Sequence, residues 1–129
     1  MINPAYKHSE LTGKIVGCAM HVHRMLGPGF QEVIYQRALA IEMTEMGINF
    51  QREKESPIYY KGLYVGGRRA DFIVENVVCV ELKALATTEP AHLSQAKSYL
   101  NAYNLETGLL INFGAPSLEF RRIFNDKIQ

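Results

Sequence analysis

Cysteine is scarce in this sequence, and net charge is scarcer. The two cysteines, Cys18 and Cys79, both sit inside apolar runs, so no disulfide framework is indicated and they read as core residues. Lys and Arg number 14 against 13 Asp and Glu, a formal charge of +1, so bulk electrostatics does not mark a nucleic-acid binder. Any such role must come from a local site. No stretch approaches the roughly 20 apolar residues of a membrane-spanning helix, and the stretch from Met1 to Lys14 lacks the charged-then-apolar pattern of a secretory signal. The expected address is a reducing cytoplasm, with no membrane partner. Repeats, low-complexity tracts and linkers are also absent. Residues 1–129 therefore read as one domain, 47% hydrophobic and 21% charged, long enough to bury a real core.

Period organises what is present. From about Ser9 to Leu26, the residues Leu11, Ile15, Cys18, Val22 and Met25 recur at helical steps and predict one apolar face. Leu26-Gly27-Pro28-Gly29 stops that helix. A second helix is expected from about Gln31 to Met46, with Tyr35, Leu39, Met43 and Met46 turned inward and Gly47 at its end. The pattern then turns extended around Ile48, Phe50 and Ile58-Tyr59-Tyr60, with Gly62, Gly66 and Gly67 marking turns. Two strands follow, about Arg68–Val74 and Val77–Lys83, joined at Glu75-Asn76. The second is apolar on both faces, as a central strand is. A third helix is expected from about Pro90 to Asn104 with Thr88 as N-cap, then strands at Leu109–Phe113 and Leu118–Phe124. Helices before and after a mixed sheet give an α/β sandwich.

The chemistry concentrates where the buried strand ends, at Ala70-Asp71-Phe72 and Val80-Glu81-Leu82-Lys83. Glu81 and Lys83 are two apart and share a face of the strand. A buried carboxylate needs a compensating cation. Adding Asp71 from the neighbouring strand worsens the repulsion unless a divalent metal lies between. Two carboxylates, a main-chain carbonyl and water form a hard oxygen site suited to Mg²⁺ or Mn²⁺.

That reading constrains the loop. A two-residue Glu75-Asn76 turn pairs Val74 with Val77 and sends Glu81 to the face opposite Asp71. A three-residue loop, Val74-Glu75-Asn76, pairs Ile73 with Val77 and sets Asp71 diagonal to Glu81, roughly 7–8 Å away. The metal reading therefore requires an odd loop or a bulge. Without one, these residues are a surface Asp and a solvated Glu–Lys pair.

The two flanking helices add polar groups. Glu32 lies one turn before Tyr35, so it is expected along the apolar stripe rather than in water, near a helix N-terminus that favours a carboxylate. Gln95 and Tyr99, four apart, share a face of the third helix beside Leu93, Ala96 and Leu100.

A helical Glu, a strand Asp, E-x-K, then Q-x-x-x-Y on the next helix: in this order the residues resemble the PD-(D/E)XK nuclease superfamily, and within it the exonuclease-type branch with a Q-x-x-x-Y helix. More narrowly, Gly29-Phe30-Gln31-Glu32-Val33-Ile34-Tyr35 is similar to the signature of the GxxExxY family. Ala70-Asp71-Phe72-Ile73-Val74, Val80-Glu81-Leu82-Lys83-Ala84 and Ile111-Asn112-Phe113-Gly114 also look like that family. The likeness runs from about His8 to Phe124. One departure is Ala70 where the superfamily carries Pro.

The resemblance implies a restriction-endonuclease-like α/β/α sandwich with a central mixed β-sheet. It implies Mg²⁺ or Mn²⁺ held by Asp71, Glu81, the Leu82 carbonyl and Glu32, with Lys83 as catalytic lysine and Gln95 and Tyr99 in support. The implied activity is metal-dependent phosphodiester hydrolysis in nucleic acid, DNA first, with a homodimer or protein partner completing a small recognition surface. The alternative is a non-catalytic module holding nucleic acid or protein on the same scaffold.

Other motifs carry less. Cys18, His21 and His23 suggest zinc, but His21 and His23 are about 200° apart on one helix and cannot share an ion. Gly27-Pro28-Gly29 follows a helix rather than a strand and no Gly-Lys-Ser/Thr follows, so it is no nucleotide loop. Arg68-Arg69 and Arg121-Arg122 suit phosphate contacts, but strand alternation turns one of each pair away.

Overall fold

A computed structural model describes residues 8–125. The first seven residues, on which the expectation of no leader partly rests, lie outside the described residues. Helix α1 (Ser9–Leu26) and helix α2 (Glu32–Glu45) precede three short strands, β1 (Phe50–Arg52), β2 (Glu55–Tyr60) and β3 (Leu63–Arg69). Strands β4 (Phe72–Val74) and β5 (Val78–Lys83) lead to helix α3 (Pro90–Tyr103), and β6 (Thr107–Asn112) and β7 (Glu119–Phe124) close the described chain.

Five strands form the main sheet in the order β1-β4-β5-β6-β7. Only β5 and β6 run parallel, joined across the sheet by α3; every other neighbouring pair is antiparallel, so the sheet is mixed. Strand alternation splits the core in two. Val78, Val80 and Leu82 of β5 pack with Ile15, Tyr35, Leu39 and Met43 of α1 and α2. Cys79, Ile73 and Leu110 pack with Ala96 and Leu100 of α3. Both cysteines are buried and free, and burial pushes the Cys79 thiol up in pKa, so neither is a reactive thiolate. Met25 and Met46, expected in the inward stripes, are instead exposed. Met25 lies in the last turn of α1, and Met46 is the C-cap residue just past the end of α2.

The expected strand Arg68–Val74 is in fact two strands. Its first part, β3, pairs with β2 in a separate hairpin, while β4 joins the main sheet. At the crossing, the Ala70 N–H donates to the Tyr103 hydroxyl instead of a ladder partner, and the Glu53 N–H donates to the Asp71 carbonyl. Gly66 and Gly67, expected as turn residues, lie inside β3; only Gly62, after Lys61, makes the hairpin turn. Helix α3 starts at Pro90 as expected, but its N-cap is Glu89 rather than Thr88. Glu89 caps it through a capping box with His92, whose Nδ1 accepts the Glu89 N–H at 2.9 Å.

The β4–β5 loop has three residues, but they are Glu75, Asn76 and Val77, one step beyond the expected set. Val74 therefore pairs with Val78 and Phe72 with Val80. Glu75 (φ 51) and Asn76 (φ 61) are both left-handed, in a turn closed by the Val77 N–H on the Val74 carbonyl at 3.0 Å. The turn is tied to the segment before β1: the Glu75 N–H donates to the Asn49 carbonyl, and the Asn49 N–H donates to Glu75 Oε2 at 2.8 Å. That tether is long-range, and it decides the register.

Candidate functional site

One step beyond the Phe72–Val80 pair, this register sets Asp71 directly across from Glu81 rather than diagonal to it. The Asp71 N–H donates to Glu81 Oε1 at 3.2 Å. In return, Asp71 Oδ2 accepts the Leu82 N–H at 2.8 Å, the backbone group left without a strand partner where β4 ends. Each acid is thus held by the main chain at the other's position. Glu81 is 7% exposed, and burial first, then the Asp71 charge, push its carboxyl up to about 9. Burial also raises Asp71, against hydrogen bonds from Leu82 and Gln36 that favour its charged form.

Helix α2 supplies the next layer. Gln36 is buried, one turn after Glu32. Its Nε2 donates to Asp71 Oδ1 at 2.7 Å while its Oε1 accepts from Arg52 Nη2 at 2.9 Å. The Arg52–Gln36–Asp71 chain fixes which oxygen of Asp71 is turned to the helix and which to the strand. Sequence reasoning missed Gln36 and Arg52. The available signal was a lone amide beside Tyr35 in the apolar stripe, four residues after a candidate Glu. Glu32 itself is exposed, contrary to the expectation that it lies along the stripe: as the first residue of α2 it stands at the rim, where no turn of helix precedes it to cover it. It lines a cleft of about 250 Å³ with Val33, Gln36, Glu53 and Asp71. Partial loss of solvation there, then the Asp71 charge, raise its pKa.

Lys83 follows Glu81 on the same side of β5, and its Nζ donates to Gln95 Oε1 of α3 at 3.1 Å. Its charge favours the ionised forms of Glu32, Asp71 and Glu81 alike, which places it among all three. Tyr99 is one turn further along α3. Its ring lies 5.0 Å beneath the Arg68 guanidinium, and burial and the Glu81 charge raise its hydroxyl pKa. Tyr99 therefore faces the site but engages Arg68, not the carboxylates. Arg69, on the other face of β3, pairs with Glu55 at 3.8 Å.

Two motifs expected to matter hold the frame. The Tyr35 hydroxyl donates to the Gly27 carbonyl at 2.6 Å and accepts the Phe30 N–H at 3.2 Å, closing the loop that delivers Glu32. Its ring stacks on Phe113, with centroids 4.7 Å apart. Asn112, fully buried, brackets Leu85 by accepting its N–H and donating to its carbonyl, at 2.8 and 2.9 Å. Gly114 lies so near this segment that an added Cβ would sit 2.3 Å from the Leu85 nitrogen. The chain leaving Lys83 is clamped by that pair. His21 and His23, set aside as metal ligands, serve packing: His21 Nε2 lies 3.1 Å from Glu42 of α2, and His23 Nε2 is 2.9 Å from the Ala115 carbonyl.

Among the described residues no three His, Cys, Asp or Glu side chains converge closely enough to form a metal cage. What converges is a pair of carboxylates, which suits an ion that keeps most of its waters and borrows oxygens from a substrate. No helix among the described residues is long and apolar enough to cross a membrane.

The family model described as PD-(D/E)XK nuclease superfamily matches residues 9–123. Two solved structures share the fold. The crystal structure of SSO0001 aligns at 20% identity with a TM-score of 0.58, over 73% of this chain and 50% of that one, so this chain spans about half its length. An alkaline exonuclease from Laribacter hongkongensis aligns at 10% identity with a TM-score of 0.52, over 97% of this chain and 73% of that one. With its mixed five-stranded sheet between helices, the chain has the restriction-endonuclease-like α/β/α architecture. No curated protein gives a significant match.

Proposed function

The chain belongs to the PD-(D/E)XK nuclease superfamily, and from that premise we propose that it is a Mg²⁺- or Mn²⁺-dependent nuclease cutting phosphodiester bonds in DNA. The observation that carries the reading is Asp71 directly opposite Glu81, both with carboxyls raised by burial, at the end of the strand that bears Lys83. Holding both ionised side by side is unfavourable without a cation, and with the Lys83 charge acting on them both carboxyls are still raised. The donor set is all oxygen, as a hard divalent ion requires.

In this reading Asp71 and Glu81 are the ligands. The Leu82 carbonyl leaves the strand on the same side as the N–H that meets Asp71, and it is the main-chain donor. A divalent ion bound there supplies Lewis-acid stabilisation of phosphoryl oxygen and a water of lowered pKa. Gln36, braced by Arg52, orients Asp71. Glu32 works from the rim of the cleft, where partial burial and the Asp71 charge raise its pKa and favour its holding a proton. Lys83 Nζ, steadied by Gln95, offsets the negative charge that develops on the phosphate. Tyr99 acts with Arg68 at the margin, where a flanking phosphate lies.

Within the superfamily we place the chain among GxxExxY proteins, supported by Tyr35 locking the loop that presents Glu32. The alkaline exonuclease neighbour supports a nucleic-acid substrate. End-labelled single-stranded, double-stranded and branched DNA, and RNA of the same length, incubated with Mg²⁺ or Mn²⁺, test the proposal. Wild type is expected to cut DNA and Asp71→Ala to leave it intact. Cleavage by Asp71→Ala at the wild-type rate, or no cleavage of any substrate with either metal, would overturn it.

A further inference from the structure

The β2–β3 hairpin has a packed base and a bare tip. At the base, Ser56 Oγ donates to the Ala102 carbonyl at 2.7 Å, and the Tyr103 hydroxyl meets the carbonyls of Lys54 and Arg68. From Tyr59 to Val65 every residue is exposed, Tyr59, Tyr60 and Tyr64 by 60% or more. Three of the chain's seven tyrosines thus lie within six residues and contribute nothing to a core. Tyr59 and Tyr64 face each other across the strands in a T-shaped pair with centroids 6.2 Å apart, a geometry that leaves a ring face open. Lys61 Nζ stands 5.5 Å from the Tyr60 centroid.

Charge points to the occupant. Residues 54–69 hold Lys54, Lys61, Arg68 and Arg69 against Glu55, a balance of 4 − 1 = +3 in a chain of net +1. Strand alternation decides which arginine faces the site: Arg68 lies over Tyr99, one turn from the Gln95 that holds Lys83, while Arg69 pairs with Glu55 on the far side. A basic, aromatic path therefore runs from Lys83 through Arg68 to the hairpin tip. A second copy of the chain fits less well. The bulge between Ile58 and Tyr59 interrupts the strand edge that such a copy would extend, and cations interleave the rings.

We propose that this tip is a stacking platform for single-stranded nucleic acid, whose bases lie on Tyr59 and Tyr64, the pair on the Arg68 face of the hairpin, while its phosphates follow Lys61 and Arg68. Tyrosine faces accept any unpaired base, whereas a duplex hides its base faces. The inference rests on the nuclease reading for the direction of the strand and adds the form of the substrate.

The chain contains no tryptophan, so its emission comes from tyrosine. Titrating the protein in EDTA with a 20-nucleotide oligothymidylate should quench that emission saturably, with weaker binding to a duplex of equal length. Tyr59→Leu/Tyr64→Leu should weaken binding about tenfold or more, and Tyr59→Phe/Tyr64→Phe should restore it, with unchanged melting temperatures. The proposal is overturned by a leucine variant that binds like wild type, or by wild type that does not bind at all. It is equally overturned if wild type sediments as a dimer that the leucine variant dissolves, which would assign the tip to a second copy. Because EDTA blocks cutting, the two readings separate. Tyrosine-dependent binding without cleavage under Mg²⁺ or Mn²⁺ keeps the platform and removes the nuclease. Cleavage with tip-independent binding does the reverse.

Discussion

Asp71 and Glu81 are locked to each other through the main chain: Glu81 Oε1 accepts the Asp71 N–H, and Asp71 Oδ2 accepts the N–H of Leu82, the residue after Glu81. Neither carboxylate can swing away without stranding a backbone donor, which costs roughly 1–3 kcal/mol in a buried setting. The pair is therefore held close before any ligand arrives, and its mutual repulsion is built in.

That repulsion gives a pH dependence. Glu81 ordinarily titrates near 4.5, and burial with the Asp71 charge moves it to about 9 in the folded protein. Between these values the folded state keeps a proton that the unfolded chain releases, so the contribution is full below the lower value and is lost as pH rises. The raised Asp71 acts in the same sense. Melting temperatures in EDTA should fall from about pH 5 to pH 9, and Glu81→Gln should flatten much of that slope. Mg²⁺ should stabilise wild type more at the alkaline end, where the carboxylates are already free of protons.

Gln36 tests the supporting layer. Gln36→Leu breaks the bridge from Arg52 to Asp71 while keeping the volume. Removing such an outer partner is expected to cost about 10–100-fold in Mn²⁺ affinity or cleavage rate. Calorimetric titration beside a thermal melt separates this loss of orientation from a loss of fold.

Lys83 is predicted to act on the reaction and not on assembly. Lys83→Ala should slow cleavage by about 10²–10³-fold and leave Mn²⁺ bound. Gln95→Ala, which only frees the Lys83 ammonium, should give a smaller loss. Single-turnover cleavage with prebound DNA is the measurement.

The Asn112–Gly114 clamp predicts a stability effect without chemistry. Asn112→Ala strands the Leu85 backbone groups and Gly114→Ala drives a methyl into the Ala84–Leu85 peptide. Each should destabilise by on the order of 2–4 kcal/mol, read by urea denaturation. Addition of Mn²⁺ should recover part of that loss, since ion binding favours the folded state.

The fold was legible where period and burial agree. The first two helices, to within a residue at the end of the second, the doubly apolar Val77–Val80 run and the buried cysteines all followed from spacing. What escaped was set by contacts distant in sequence. Asn49 holding Glu75 chooses the loop register, and Tyr103 capturing the Ala70 N–H splits one expected strand into two. The same holds at the site. Asp71, Glu81 and Lys83 announce themselves as charges at the end of an apolar strand, and the need for an odd loop was readable from parity alone. Gln36 and Arg52 gave no such signal, because their role exists only once α2 lies across the end of β4.

Calorimetric titration of Mn²⁺ into wild type, Asp71→Asn and Glu81→Gln addresses the central claim most directly. These substitutions keep shape while removing one charge each; Glu81→Gln keeps the acceptor for the Asp71 N–H, whereas Asp71→Asn keeps only one of two acceptors, toward either Gln36 or the Leu82 N–H. A saturable site in wild type, lost or greatly weakened in both variants with melting temperatures maintained, is the predicted result. Equal Mn²⁺ binding by all three proteins would contradict the assignment of Asp71 and Glu81 as the ligands.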